Sequence, residues 1–341
     1  MNNTRQLQAT IEAMVRQGRG ILAADESAPT IAKRFKAIGL ESTEEARRAY
    51  RSLIITTPGL AEFVSGIILF EETLLQRADD GTPLAQLAAR QGIVPGIKVD
   101  AGKLPLALAP GDEITQGLDN LAKRLDGYQQ QGARFAKWRA VYNVSAALPS
   151  RAAIEANAHA LARYAAICQE QGVVPIVEPE VLIDGDHSLD RCAEVTEAVL
   201  HEVFEALFRQ RVAFEHIVLK PSMVAPGSEH PQRATPAEVA MATIRVLRRC
   251  VPGAVPSVNF LSGGQTPVQA SIHLDAINRV GVQPWQLSFS YGRALLDPAL
   301  KAWGGQAATL RDGQAALLER ARLNAAACQG RYTAAMEAAG S

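Results

Sequence analysis

Short apolar runs, rich in β-branched residues, recur along the chain and alternate with longer amphipathic stretches. The runs are GILAAD (20–25), VSGIILFEE (64–72), VPGIKVD (94–100), GARFAKWRAVYNV (132–144), VVPIVEPE (173–180), HIVLKPSM (216–223), VPSVNFLSGG (255–264) and WQLSFSYGR (285–293). Their length and composition predict buried strands, whereas the intervening stretches, such as 151–172 and 189–211, have the apolar period of helices. Several helical stretches end at a glycine, as at Gly39, Gly92 and Gly172, which is a common helix stop.

The spacing of these runs predicts an α/β fold, a closed (β/α)8 barrel. Strand followed by helix repeats eight times, at intervals of roughly 30 to 45 residues, and such a barrel needs about 250 residues. An open, doubly wound sheet gives the same alternation and stays as the alternative. We expect a single domain over 1–341. The barrel covers about 18–306, preceded by an N-terminal helix and followed by a helical tail over about 307–341, with further surplus length in the segment 41–60.

Composition and charge fit a globular protein without a global electrostatic preference. Hydrophobic residues make up 48% of the 341 residues, and 35 Lys and Arg balance 35 Asp and Glu. A chain without net charge has no overall field that would attract nucleic acid or an anionic membrane, so we expect neither partner. Any site for an anion must therefore be local.

Cysteine usage and the N-terminus favour a cytoplasmic protein. The four cysteines, Cys168, Cys192, Cys250 and Cys328, have no CxxC pair or zinc-site spacing, and we expect free thiols. The first twenty residues lack a secretory apolar core, and no run approaches the roughly 18 apolar residues of a membrane span.

Polar residues stand at the end of every predicted strand, which is where barrel enzymes carry their chemistry. These residues are Asp25, Glu71, Lys98, Lys137 with Arg139, Glu178 with Glu180, Lys220, Ser262, and Ser290 with Arg293. A single such charge can also mark merely where a strand leaves the core. The doublets favour a site, because residues two apart on a strand share one face and enter the barrel mouth together.

Three lysines converging with carboxylates suggest Schiff-base chemistry. A lysine held in apolar surroundings and near other cations loses its proton more readily, so its free amine can attack a carbonyl. Of Lys98, Lys137 and Lys220, the last has the most apolar approach, Ile217 to Leu219, and is the predicted nucleophile. A structural lysine paired to a carboxylate is the alternative.

Glycine-rich loops follow the last two predicted strands and suggest a phosphate site. They read SGGQ (262–265) and SYGR (290–293), and in this fold those loops commonly bind phosphate through backbone N–H groups and an arginine. A Gly-Gly pair can also be only a tight turn. There is no Walker A or GxGxxG motif and no HExxH among the six histidines, so we expect no nucleotide, no metal and no other cofactor, although GDH at 185–187 could contribute one ligand.

Long motifs in order resemble the class I, Schiff-base-forming, fructose-1,6-bisphosphate aldolases over about 15–332. They are GILAADES, ILFEETL, ADDGTP, VPGIKVD, FAKWR, IVEPE, DGDH, LKPSMV, FLSGGQ, LSFSYGRAL and KAWGG. The resemblance implies metal-independent, reversible cleavage of fructose 1,6-bisphosphate to dihydroxyacetone phosphate and glyceraldehyde 3-phosphate, in glycolysis and gluconeogenesis. It also implies a cytoplasmic homotetramer whose partners are phosphorylated ketoses and trioses.

The resemblance assigns roles to residues. Lys220 forms the iminium with the ketose C2 carbonyl, and Glu178 is the general acid and base. Glu180 and Lys137 tune Glu178 by charge, and Asp25 orients the C4 hydroxyl. The resemblance further implies a C1-phosphate site at Ser262, Gly263, Gly264, Ser290, Gly292 and Arg293, a C6-phosphate site at Ser27, Thr30, Arg34 and Lys98, and a substrate contact at Arg139.

Three departures from the family pattern bear on function. ADESAPTI replaces ADESTGSI, so Pro29 removes an N–H donor beside the C6-phosphate site. Ser222 replaces the asparagine of LKPNMV, and the last tyrosine is Tyr332, whereas animal members close with a C-terminal tyrosine. We expect C3 proton exchange to be slower or served by another group. The alternatives are an aldolase preferring another phosphorylated ketose and a non-catalytic scaffolding relative.

Overall fold

The computed structural model describes residues 2–338, and within them eight parallel strands close into a barrel. In chain order the described strands are β1 Gly20–Ala24, β2 Val64–Leu69, β3 Val94–Lys98, β4 Lys103–Pro105, β5 Glu113–Thr115, β6 Phe135–Tyr142, β7 Val174–Val181, β8 Val218–Leu219, β9 Ser257–Phe260 and β10 Gln286–Tyr291. All of them except β4 and β5 belong to the barrel. Around the barrel the order is β1, β10, β9, β8, β7, β6, β3, β2. All eight predicted strands are confirmed, and the open doubly wound sheet is wrong.

Helices pack around the outside of the barrel and, in the case of the first, at one of its ends. They are α1 Asn2–Met14, α2 Ala28–Lys36, α3 Glu44–Ile55, α4 Glu71–Leu75, α5 Leu84–Arg90, α6 Leu121–Gln130, α7 Arg151–Glu170, α8 Leu189–Arg209, α9 Pro236–Cys250, α10 Pro267–Arg279, α11 Arg293–Trp303, α12 Leu310–Ala327 and α13 Ala335–Ala338. The predicted helices 151–172 and 189–211 are therefore confirmed as α7 and α8. Each begins after a serine, Ser150 or Ser188, whose side chain accepts a bond from a backbone N–H of the first turn.

Aromatic rings and glycines share the interior of the barrel. Phe135 is fully buried, and a Cβ on Gly96 of the neighbouring strand would lie 2.2 Å from its ring. A Cβ on Gly20 would likewise lie 2.5 Å from the ring of Phe289, on the neighbouring strand β10. Large and small residues thus interdigitate across adjacent strands, as close packing of an interior requires.

Helix α1 closes the end of the barrel where the strands begin. Leu7, Ile11 and Met14 of α1 are buried in one apolar cluster with Ile21, Ala23, Ile68, Phe135, Val174, Ile176 and Val218. Most of these barrel residues stand in the first half of their strands. The opposite end, where the strands finish, is therefore the open one.

The hairpin of β4 and β5 was not predicted. Its strands have three residues each and pair antiparallel between Lys103 and Thr115. Pro105 and Pro110 stand within this segment, and prolines are typical of loops and sheet edges rather than of barrel strands. The pattern therefore gave no signal for a strand here.

The predicted helical tail is confirmed as α12 and α13 up to residue 338, and its end lies outside the described residues. α12 packs against α11, α10 and α3. Arg320 of α12 is buried and donates to both Glu337 oxygens at 2.6 Å and to the Pro267 carbonyl at 2.8 Å. The Tyr332 hydroxyl also donates to Glu337, at 2.7 Å, so these bonds tie α13 to the barrel wall.

None of the helices between residues 2 and 338 combines the length and the apolar character that a membrane span requires.

Candidate active site

An open cavity of about 820 Å³ lies at the carboxyl ends of the barrel strands. All the predicted site residues except Ser27 and Gly264 line it, namely Asp25, Thr30, Arg34, Lys98, Lys137, Arg139, Glu178, Glu180, Lys220, Ser262, Gly263, Ser290, Gly292 and Arg293. Parallel strands deliver their C-terminal residues to one face of the barrel, which is why residues so distant in sequence converge.

Lys220 directly follows β8 and points into this cavity. Its backbone N–H donates to the Val177 carbonyl at 2.8 Å, which extends the pairing of β8 with β7 by one residue. Pro221 then has no N–H with which to continue the ladder. The lysine is thereby fixed at the last position of the strand, with its side chain only 4% exposed.

Alternating charges fill the centre of the site. Lys220 Nζ lies 3.1 Å from Glu178 Oε1, and Lys137 Nζ lies 3.3 Å from Glu178 Oε2. Lys137 Nζ also lies 2.7 Å from Asp25 Oδ2. Glu178 is thus shared between two ammonium groups, and Asp25 compensates the charge of Lys137.

Asp25 and Lys137 form a pair that stays charged. Burial opposes the ionisation of Asp25, but the charges of Lys137 and Lys220 outweigh it and hold the pKa of that carboxyl well below its usual range. Burial likewise opposes the charge on Lys137, and Asp25 and Glu178 outweigh it, so that the pKa of Lys137 is raised well above its usual value. Both groups are therefore ionised at neutral pH.

A second set of ion pairs surrounds this centre. Arg139 pairs with Glu180, and Lys98 Nζ lies 2.8 Å from Asp100 Oδ1. Asp100 also accepts from the Arg139 backbone N–H at 3.3 Å. Sequence reasoning missed Asp100, although it closes the VPGIKVD motif, because the strand was taken to end at Lys98.

Two adjacent glycines shape the loop after β9. Gly263 and Gly264 have φ of 53° and 87°, in the left-handed region that favours glycine. Gly264 adjoins Arg293, since a Cβ on it would lie 3.7 Å from Arg293 Nη2. The glycine loop therefore lies beside this arginine, although Gly264 itself does not line the cavity.

The Ser290 hydroxyl stands at the end of β10 beside this loop. Ser290 is 1% exposed, and its Oγ has no hydrogen-bond partner among residues 2–338. Buried hydroxyls normally have a partner, so this one is available to a ligand of the cavity. Gly292, two residues on, brings the backbone close to β1, since a Cβ there would lie 3.3 Å from the Ala23 carbonyl oxygen.

The N-terminus of α2 forms another wall. Ser27 is the N-cap residue, and its hydroxyl lies 3.1 Å from that of Thr30, so Ser27 adjoins the cavity through Thr30 without lining it. Pro29 stands in the first turn, where its missing N–H breaks no bond within the helix. What Pro29 removes is one donor at the helix N-terminus, which agrees with the prediction.

Arg34, on the last turn of α2, has two carboxylate partners. Its guanidinium pairs with Glu26 and with Asp297 of α11, and Arg51 Nη1 lies 2.7 Å from the other Glu26 oxygen. Sequence reasoning missed both carboxylates. Glu26 stands in the ADES motif and could have been found there, whereas the approach of Asp297 to Arg34 depends on how α2 and α11 pack.

Some sequence interpretations fail or change. Glu71 at the end of β2 is exposed and accepts a bond from the Tyr128 hydroxyl at 3.0 Å, so here the charge only marks where a strand leaves the core. Ser222, unexplained by the sequence, donates from its hydroxyl to the Val181 carbonyl at 2.7 Å.

In the part of the chain that the structure describes, no group of three His, Cys, Asp or Glu side chains could hold a metal ion.

Comparisons with known proteins agree on one family. A family model described as fructose-bisphosphate aldolase class-I matches residues 6–341. The probable fructose-bisphosphate aldolase class 1 of Xanthomonas campestris pv. campestris is 52% identical over 328 residues, 96% of this chain and 98% of that one. The fructose-bisphosphate aldolase of Drosophila melanogaster is 52% identical over 338 residues, 98% and 93% of the two chains. A solved fructose-bisphosphate aldolase from Plasmodium falciparum, in complex with TRAP and a small molecule inhibitor, matches with a TM-score of 0.96 at 47% identity, over 97% of this chain and 96% of that one.

Proposed function

This chain belongs to the class I fructose-bisphosphate aldolase family, and from that membership we propose that it cleaves fructose 1,6-bisphosphate through a Schiff base on Lys220. The observation that carries the proposal is the 3.1 Å separation of Lys220 Nζ from Glu178 Oε1 within the cavity. An amine that must lose a proton before attack has a carboxylate within reach to take it.

The neighbouring charges favour Lys220 over the other two lysines as nucleophile. Lys137 lies between two carboxylates, Asp25 and Glu178, which keep it protonated. Lys98 is paired with Asp100. Lys220 has only Glu178 as an ion-pair partner among the described residues, and Glu178 is shared with Lys137.

The first half of the proposed reaction builds the Schiff base. Glu178 accepts a proton from Lys220, and the free amine adds to the C2 carbonyl of the ketose to give a carbinolamine. Glu178 then returns the proton to the C2 hydroxyl, which leaves as water. The product is a protonated imine whose positive charge is an electron sink next to C3.

The second half breaks the carbon chain. The Glu178 carboxylate removes the proton of the C4 hydroxyl, the C3–C4 bonding pair moves to C3 and the imine nitrogen, and glyceraldehyde 3-phosphate leaves. The enamine that remains takes a proton at C3, and water hydrolyses the imine to release dihydroxyacetone phosphate and regenerate Lys220. Asp25, which stays ionised, orients the C4 hydroxyl, while Lys137 and Glu180 hold Glu178 by charge.

We assign the two substrate phosphates to the two walls described above. The C1 phosphate fits the wall that offers the N–H groups of the glycine loop, the free Ser290 hydroxyl and the Arg293 guanidinium. The residues of this wall are Ser262, Gly263, Gly264, Ser290, Gly292 and Arg293. The C6 phosphate fits the α2 wall, at Ser27, Thr30, Arg34 and Lys98. Arg139, held by Glu180, contacts the sugar between them.

Borohydride trapping tests the nucleophile. The protein is incubated with dihydroxyacetone phosphate and sodium borohydride in EDTA, digested, and mapped by mass spectrometry. We expect one reduced adduct, on the peptide carrying Lys220, and none in Lys220→Met. Lys103→Met, which removes a lysine paired with Glu113 on the exposed hairpin, is the control and should trap normally. An adduct on Lys98 or Lys137, or activity that EDTA abolishes, would overturn the proposal.

We further propose a cytoplasmic homotetramer in which each chain folds as one domain. Two apolar side chains on neighbouring outer helices support self-association: Phe208 of α8 is 74% exposed and Met241 of α9 is 60% exposed. Light scattering should give four chain masses. A monomer at micromolar concentration would contradict the assembly without touching the mechanism.

A further inference from the structure

Arg34 belongs to a row of four groups with alternating charge. Arg51 Nη1 lies 2.7 Å from Glu26, Glu26 pairs with Arg34, and Arg34 pairs with Asp297. Two positive and two negative charges cancel, so the row carries no net charge before a ligand arrives. A cation already compensated in this way attracts an incoming anion less than a free one does.

The two carboxylates that pair with Arg34 are not equally fixed. The Glu26 side chain is 10% exposed and is held from its other side by Arg51 of α3. The Asp297 side chain is 50% exposed, and among residues 2–338 its ion pair is with Arg34 alone. A ligand can therefore displace Asp297 into water at low cost, whereas displacing Glu26 would leave Arg51 buried without its partner.

Asp297 lies among cationic side chains at the rim of the cavity. Asp297 and Arg34 both line the cavity, as do Lys33 and Lys301 near them. Lys301 stands one helical turn after Asp297 on α11. Asp297 is thus a carboxylate among cations at this rim.

From this arrangement we infer that Asp297 is a specificity-determining residue, which competes with the second phosphate of the substrate for Arg34. The inference rests on the proposed function, in which that phosphate binds at the α2 wall. A phosphate dianion must displace Asp297 from Arg34 and then tolerate its negative charge nearby. Asp297 therefore weakens the binding of a bisphosphate and leaves that of a ketose with only the C1 phosphate unchanged.

A positioning role for Asp297 predicts the opposite effect. If its contact mainly held the guanidinium ready for phosphate, removing the carboxylate would let Arg34 stray and would weaken bisphosphate binding. Asp297→Asn separates the two roles, because the amide keeps the size of the side chain and loses the negative charge.

The test compares KM for fructose 1,6-bisphosphate and fructose 1-phosphate in Asp297→Asn. We expect KM for the bisphosphate to fall about threefold to fivefold, the upper part of the range for one exposed ion pair, while KM for the monophosphate changes less than about twofold. Asp79→Asn, which removes an exposed carboxylate paired with Arg48, should change neither. An unchanged or raised KM for the bisphosphate, or an equal fall for both substrates, would overturn the inference.

A second variant places the effect at Arg34, and a second readout separates the two proposals. In an Arg34→Met background, Asp297→Asn should lower KM for the bisphosphate by less than half as much as in the unmodified chain. If Asp297→Asn lowers KM equally with and without Arg34, Asp297 does not compete with the phosphate for Arg34, and the inference is refuted. Borohydride trapping on Lys220 is measured in every variant: normal trapping with no shift in KM refutes only the inference, whereas absent trapping in the unmodified chain refutes the proposed function.

Discussion

At the scale of single residues, Glu178 is the carboxylate at the centre of the site, because both of its oxygens face ammonium groups. One lies 3.1 Å from Lys220 Nζ and the other 3.3 Å from Lys137 Nζ. The same carboxylate therefore compensates two buried charges, and in the proposed mechanism it also moves protons to and from Lys220. Asp25 and Lys137 remain charged beside it, which is why the proposed mechanism gives proton transfer to Glu178.

Replacing Glu178 with glutamine should slow the reaction about a hundredfold to ten-thousandfold in kcat, the usual contribution of a general acid and base. The amide keeps the shape but neither accepts a proton nor compensates the two lysines. The rate of adduct formation with borohydride and dihydroxyacetone phosphate should fall as well, because dehydration of the carbinolamine needs the same group. Glu113→Gln, which removes the hairpin partner of Lys103, is the control. A Glu178→Gln enzyme within tenfold of the unmodified rate would refute the assignment.

Ser222 is a second residue whose effect can be measured. Its hydroxyl is buried and donates to the Val181 carbonyl at the end of β7. Ser222→Ala should lower the free energy of unfolding by about 1 to 2 kcal/mol, because a buried carbonyl loses its partner. Urea unfolding followed by circular dichroism measures this. Ser228→Ala, on an exposed turn, should change it by less than about 0.5 kcal/mol, and an equal loss in both variants would count against the bond.

At the scale of elements, the strands and long helices could be predicted from local pattern, and contacts between elements could not. The apolar runs located all eight barrel strands, and the glycines at 39, 92 and 172 have the positive φ expected after a helix. The pattern could not show that α1 closes the barrel, because Leu7 and Ile11 look like the apolar face of any surface helix. In the site, motifs supplied the lysines and Glu178, whereas the pairing of Asp297 with Arg34 arises only from packing.

Glycine positions test the interior packing of the strands. Gly96→Ala would place a Cβ 2.2 Å from the Phe135 ring, and we expect a loss of about 1 to 3 kcal/mol in the free energy of unfolding, as for other overpacked interiors. Gly127→Ala is the matched control, because Gly127 lies inside α6 with nothing within 4 Å of its added Cβ. There the same change should stabilise by about 0.5 to 1 kcal/mol. Equal effects in the two variants would contradict the packing described here.

At the scale of the whole molecule, thiol burial links stability to pH. Burial raises the pKa of Cys250 to about 11 and that of Cys328 to about 12, and burial also raises the pKa values of Cys168 and Cys192. Above a pH of about 9 the unfolded chain loses thiol protons that the folded chain keeps. The unfolded state then binds fewer protons, so the free energy of unfolding decreases as pH rises.

This predicts a fall in the urea midpoint between pH 8 and pH 10.5, measured with reductant present. Cys250→Ala should make the fall shallower, because that residue no longer ionises in the unfolded chain. Asp79→Asn, which removes an exposed carboxylate paired with Arg48, should leave the slope unchanged. A midpoint that stays constant over the range, or a Cys250→Ala slope equal to that of the unmodified chain, would contradict the prediction.

The closure of the barrel by α1 has a consequence for biosynthesis. Helix α1 leaves the ribosome before the barrel strands do, yet it packs in one cluster with Val218 of β8. The backbone that follows it, at Arg16, accepts a bond from Gln286, 270 positions away. Contacts of such sequence separation form late because the intervening chain must first be made and ordered. A nascent chain therefore keeps the apolar face of α1 uncovered until the strands through β8 have been translated.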